Sequence, residues 1–224
     1  MQIKICGIKT PETAIACFKA GASMIGLVHY PPSPRHVDTV RIDEILDVIK
    51  PFGGQSVLVV VDQLPDEEIV SKFSLVQAYG TLQDDISTPQ IRVVKDYATF
   101  TWLLESPLTT EYFCLEMSKG TLPGGNGAAW DWSIARPFCE RYSTFIAGGI
   151  TPENVAEVIR QVMPFGIDVS SGVESSPGIK DIDNVKRLIE NVHRTLSAFA
   201  PERWGQTPDN PESKNRLCTS RAPY

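Results

Sequence analysis

The 224-residue chain has no excess of positive charge: 21 Lys and Arg face 27 Asp and Glu, for a formal net charge of −6. That shortage argues against a general nucleic-acid binder, which carries a basic excess or stripe. It leaves room for a phosphorylated small molecule, because a few backbone N–H groups can meet one phosphate locally. No apolar run approaches the roughly 20 residues that cross a bilayer. Nor does a basic segment with an apolar stretch and a small-residue cleavage site open the chain. No membrane partner is therefore expected, and the cytoplasm is the expected compartment. The five cysteines, at 6, 17, 114, 139 and 218, are odd in number and lack the paired spacing of a zinc site. A glycine fingerprint for dinucleotides is also missing.

What the chain does have is alternation. Short apolar runs at 2–6, 24–29, 55–61, 75–78, 91–94, 113–116, 144–147 and 166–170 read as strands. Between them, helical patterns fall at 11–20, 41–49, 65–73, 97–104, 133–140 and 152–162, with a closing helix from 181 to about 196. Thr10-Pro11-Glu12 and Thr151-Pro152-Glu153 each offer a capping hydroxyl, a proline for the first helical position and an early carboxylate. Eight strands separated by helices predict parallel pairing and a closed (β/α)8 barrel over 1–198, a single domain. A doubly wound open sheet is the rival that the count of eight disfavours. Residues 199–224 are polar and proline-rich, and read as an extended or disordered tail.

In such a barrel the C-terminal strand ends converge on one face, where active sites are built. The most informative stretch is 166–181, where an apolar strand carrying Asp168 runs into Ser170-Ser171-Gly172. Hydroxyls and N–H groups at a strand end suit a phosphate, although a lone Ser-Ser-Gly is equally a polar turn. Two further glycine-bearing strand ends join it, Gly124-Gly125-Asn126-Gly127 and Ala147-Gly148-Gly149. Gly125, Gly127, Gly148, Gly149, Ser170, Ser171 and Gly172 are the candidate phosphate-binding residues. The other candidates by position are Cys6 after the first strand, Arg35 after the second, Tyr79 after the fourth and Glu116 after the sixth. Lys4 shares the face of Cys6, because strand side chains alternate. It would either lower the thiol's pKa or pair with a carboxylate such as Asp168.

Over about residues 2–198 these pieces resemble the phosphoribosylanthranilate isomerase family. The matching motifs are Lys4-Ile5-Cys6-Gly7-Ile8, Ser33-Pro34-Arg35, Val76-Gln77, the 124–127 glycines with Asp131-Trp132, Ala147-Gly148-Gly149-Ile150, and Asp168 to Glu174 followed by Gly178 and Lys180. The resemblance implies an Amadori rearrangement of N-(5′-phosphoribosyl)anthranilate in tryptophan biosynthesis, with no cofactor or metal and with a monomer as the expected state. It makes Cys6 the base and gives the acid to the carboxylate at the sixth strand end. Arg35 has the fork that suits the anthranilate carboxylate, and Tyr79 and Asp168 are further substrate-binding candidates.

Two positions depart from the family pattern. Glu116 stands where the family has aspartate, adding a methylene, and Tyr79 stands where it usually has histidine, giving a phenol that can donate or stack. His29 either compensates for that change or is a hydrogen-bonded barrel residue. These departures keep open a different phosphoribosyl substrate, or a non-catalytic phosphoribosyl-ligand binder.

Overall fold

Eight runs rich in Val, Ile and Leu, each only four to seven residues long, form the strands of a closed parallel barrel. The computed structural model describes residues 1–80, 87–105, 112–117 and 129–204, the last five by backbone alone. The strands are β1 (Gln2–Cys6), β2 (Met24–Val28), β3 (Gln55–Val61), β4 (Leu75–Tyr79), β5 (Gln90–Val94), β6 (Tyr112–Leu115), β7 (Ser143–Ile146) and β8 (Gly166–Val169). Each pairs with its sequence neighbours, and β1 closes the barrel on β8 with Lys4 opposite Asp168. The helices are α1 (Pro11–Ala20), α2 (Thr39–Ile49), α3 (Glu67–Val70), α4 (Tyr97–Glu105), α5 (Arg136–Arg141), α6 (Val155–Val162) and α7 (Ile182–Trp204).

Alternation along the strands splits the apolar side chains into two layers. Ile3, Ile5, Ile25, Leu58, Val76, Ile167 and Val169 pack outward with the helices. Cys6, Met24, Val28, Val57, Val59, Ile91, Cys114 and Phe145 fill the barrel interior. Lys4, Gln77 and Asp168 are buried polar residues, and their hydrogen bonds join β1, β4 and β8.

Several boundaries differ from expectation. The helix expected at 133–140 divides into a 3-10 turn, Trp132–Ala135, and α5. Pro137 lacks the N–H that would continue an α-helical ladder from that turn. The helix expected from Pro152 begins at Val155, because Asn154 Oδ1 takes the Thr151 N–H at 2.8 Å while its Nδ2 donates to the Gly149 carbonyl at 2.8 Å. The Thr151 hydroxyl still caps, accepting the Glu153 N–H at 3.2 Å, but over a turn that precedes the helix. The reading missed a small antiparallel hairpin, β9 (Glu174–Ser176) and β10 (Ile179–Lys180). The last helix, expected to end near 196, runs past the domain boundary expected at 198 to Trp204. The remainder of the expected tail lies outside the described residues, as do Gly125 and Gly127. Among the described residues no helix is long and apolar enough to cross a membrane.

Candidate active site

A cleft of about 740 Å³, including its open mouth, lies at the C-terminal strand ends. Cys6, Arg35, Tyr79, Glu116, Gly148, Gly149, Asp168, Ser170, Ser171 and Gly172 all line it, together with Tyr30, Ser33 and Ile150. Every candidate among the described residues thus reaches one cavity.

Cys6 sits at the end of β1 and is nearly enclosed. A Cβ on Gly26, its pairing partner on β2, would come within 2.8 Å of the Cys6 Sγ and 3.1 Å of the Lys4 Nζ. Only a residue without a side chain fits beside that pair. Burial pushes the thiol above its ordinary value of 9.0; Lys4 pulls it back, and Asp168 opposes the pull. The depression toward neutrality expected of a base is therefore not what these surroundings provide. Both proposed roles of Lys4 operate, but the pairing dominates: its Nζ donates to both Asp168 oxygens at 2.9 Å. Burial disfavours the ammonium, yet Asp168 holds Lys4 above the usual lysine range. Burial also pushes Cys17 and Cys139 up to about 12 and keeps Cys114 protonated. Cys6 is the described cysteine that lines the cleft.

Glu116 follows β6 and is 2% exposed. Its Oε2 accepts the Tyr79 hydroxyl at 2.7 Å. Burial, then Glu116, raise the phenol's pKa well above 10.0, so it is a neutral donor. His29 is not part of the cleft lining: its Nδ1 lies 3.0 Å from the Val37 carbonyl, so it is the hydrogen-bonded barrel residue and not a replacement for Tyr79.

Arg35 is buried and its fork is already engaged, with Nε and Nη2 donating to the two Glu174 oxygens at 2.9 and 2.8 Å. Lys180 donates to the same carboxylate at 2.7 Å and to the Ser170 carbonyl at 3.0 Å. Two cations on one carboxylate leave a net positive charge beside the cleft. The Ser170 hydroxyl donates to the Cys6 carbonyl at 3.1 Å, so it is spent inside the protein. Sequence reasoning quoted Glu174 and Lys180 as motif residues without giving them a role. The signal was the Ser-Ser-Pro-Gly turn between them, which brings hairpin ends together, and they pair directly across it.

The loop after β7 is pinned from behind. Trp130 Nε1 donates to the Ala147 carbonyl at 2.8 Å, and Trp132 Nε1 to the Gly148 carbonyl at 3.3 Å. With the Asn154 bond on Gly149, three successive carbonyls are held. A trans peptide points its N–H away from its carbonyl, so the N–H groups of Gly148, Gly149 and Ile150 turn the other way. None of the three meets a partner among the described residues. Gly148 and Gly149 have φ of +85° and +71°, a conformation that favours glycine. Gly172 brings the β8 loop against this one so closely that a Cβ there would lie 1.8 Å from the Ile150 carbonyl oxygen.

Comparison with known proteins follows the same outline. A family model described as N-(5'phosphoribosyl)anthranilate (PRA) isomerase matches residues 3–191. An N-(5'-phosphoribosyl)anthranilate isomerase from Desulfatibacillum aliphaticivorans is 40% identical over 219 residues, covering 91% of this chain and 98% of its own. The crystal structure of phosphoribosyl anthranilate isomerase from Thermotoga maritima aligns with a TM-score of 0.75 and 30% identity, covering 87% of this chain and 99% of that one. A phosphoribosyl anthranilate isomerase solved in complex with reduced 1-(o-carboxyphenylamino)-1-deoxyribulose 5-phosphate aligns at 0.71 with 29% identity, covering 87% and 99%.

Proposed function

This chain belongs to the N-(5'-phosphoribosyl)anthranilate isomerase family, and we propose that it isomerises that substrate with Cys6 as base and Glu116 as acid. The observation that carries the assignment is the cleft itself, in which a thiol and a carboxylate share a cavity with a wall of N–H groups that have no partner among the described residues. The substrate's phosphate is met by the N–H groups of Gly148, Gly149, Ile150, Ser171 and Gly172, to which Gly125 and Gly127 would add theirs. The anthranilate carboxylate is drawn by the surplus charge of Arg35, Glu174 and Lys180, and meets the guanidinium N–H groups that Glu174 leaves over. Asp168, held by Lys4, keeps lone pairs to accept a ribose hydroxyl.

The reaction then needs two proton movements. Protonated Glu116 gives its proton to the furanose oxygen as the ring C–O bond breaks, leaving an open-chain iminium and a Glu116 carboxylate. The Cys6 thiolate takes the C2′ proton, and the electron pair moves to neutralise the iminium, giving the enolamine that tautomerises to the ketone. Lys4 beside Cys6 favours the thiolate that this step requires.

Steady-state consumption of N-(5′-phosphoribosyl)anthranilate tests the reading, with complementation of a bacterium lacking this isomerase as the check in vivo. Cys6→Ala and Glu116→Gln should each lower kcat by roughly 10²- to 10⁴-fold with smaller changes in KM. Undiminished turnover in either variant removes that group from the mechanism. A wild-type protein inert on this substrate moves the function to another phosphoribosyl compound.

A further inference from the structure

The acid residue belongs to a hydrogen-bonded chain that crosses the barrel. Tyr79 Oη donates to Glu116 Oε2 at 2.7 Å. Gln77 Nε2 lies 3.4 Å from the Tyr79 Oη and 3.3 Å from the Asp168 Oδ2. Asp168 in turn takes the Lys4 ammonium on both oxygens.

The direction of the links on Asp168 is fixed by their chemistry. An ammonium and an amide nitrogen only donate, so the Asp168 carboxylate accepts from both. The amide gives its second hydrogen to the phenol oxygen, and the phenol's own hydrogen is left for Glu116. With the phenol's hydrogen so placed, Oε2 is the acceptor. We propose that Tyr79 is the positioning residue for Glu116: it fixes the carboxyl group's orientation and, by donating to Oε2, keeps the transferable proton on Oε1. This rests on the reading of Glu116 as the acid and deepens it.

The same geometry explains why a glutamate works at this strand end. Removing one methylene would withdraw the carboxylate by about 1.5 Å, which takes Oε2 out of hydrogen-bond reach of the phenol. The longer acid and the phenol fit each other, and Gln77 holds the phenol in place from the Asp168 side.

Four enzymes test this: wild type, Tyr79→Phe, Glu116→Asp and the Tyr79→Phe/Glu116→Asp double variant, with Glu116→Gln assayed alongside. Tyr79→Phe keeps the ring and should lower kcat on the order of 10- to 100-fold while KM changes little, the signature of a misplaced reacting group. Glu116→Asp should fall similarly, and the double variant no further than the worse single, because both break one contact. Losses that multiply, or a Tyr79→Phe kcat equal to wild type while Glu116→Gln is inactive, overturn the positioning role and leave the acid reading intact. An active Glu116→Gln overturns both. A readout independent of turnover is the tyrosine ring carbon NMR spectrum. One resonance should shift across the carboxylate titration range in wild type and stay still in Glu116→Gln; the absence of any such resonance overturns the proposal even if Tyr79→Phe does not fold.

Discussion

Cys6 has to take a proton in surroundings that keep it protonated. Burial wins over Lys4, while Glu116 must begin the cycle with its proton on. The productive form thus has the thiol ionised and the carboxyl group neutral. The kcat/KM profile should therefore carry its alkaline limb above pH 9.0, the thiol's ordinary value. A limb near pH 7 would mean that Lys4 overcomes burial once substrate binds, and Cys6→Ser should remove the alkaline limb in either case. Lys4 carries a second consequence. Lys4→Met strands a carboxylate that is 7% exposed, which should cost about 3–5 kcal/mol in urea unfolding, with part recovered in Lys4→Met/Asp168→Leu. That Lys4 shares the face of Cys6 was legible from strand alternation. Which partner Lys4 chooses was not, because it depends on the β1–β8 register, which places Lys4 opposite Asp168.

Elements were legible where apolar period and caps agreed, and less so where backbone contacts decided. The strands and α1 follow that rule, with Thr10 Oγ1 accepting the Thr13 N–H at 3.2 Å as expected of a cap. The β9–β10 hairpin escaped notice because it holds only five strand residues and almost no apolar pattern. The closeness of the β7 and β8 loops also leaves no trace in periodicity, since it rests on one missing side chain. Gly172→Ala must push these loops apart, given the 1.8 Å approach to the Ile150 oxygen. The expected result is a KM raised on the order of 10- to 100-fold, with a smaller loss in kcat, measured in steady state. An unchanged KM would take the two loops out of phosphate binding.

For the molecule as a whole, Glu174 ties the loop carrying Arg35 to the hairpin carrying Lys180. Burial opposes its charge, but the two cations hold its pKa below the ordinary 4.5. A carboxylate lowered on folding adds stability above its unfolded value and loses it as pH falls through the folded one. Denaturant midpoints should therefore hold steady down to about pH 4.5 and decline below. Glu174→Gln should be less stable at neutral pH and show a shallower acid decline. The barrel was legible because eight strands and their helices alternate in order, a pattern with few compact solutions. Closure of the ring was not written in any one segment, and the Lys4–Asp168 pair has a bearing on how it happens. The two residues are 164 positions apart, so during synthesis the first strand leaves the ribosome long before its counterion exists. Until then burying the unneutralised lysine costs several kcal/mol, which disfavours a stable resting place for the growing sheet short of the full circle. A nascent chain stopped ahead of Asp168 should stay open to proteases instead of accumulating as a partial barrel.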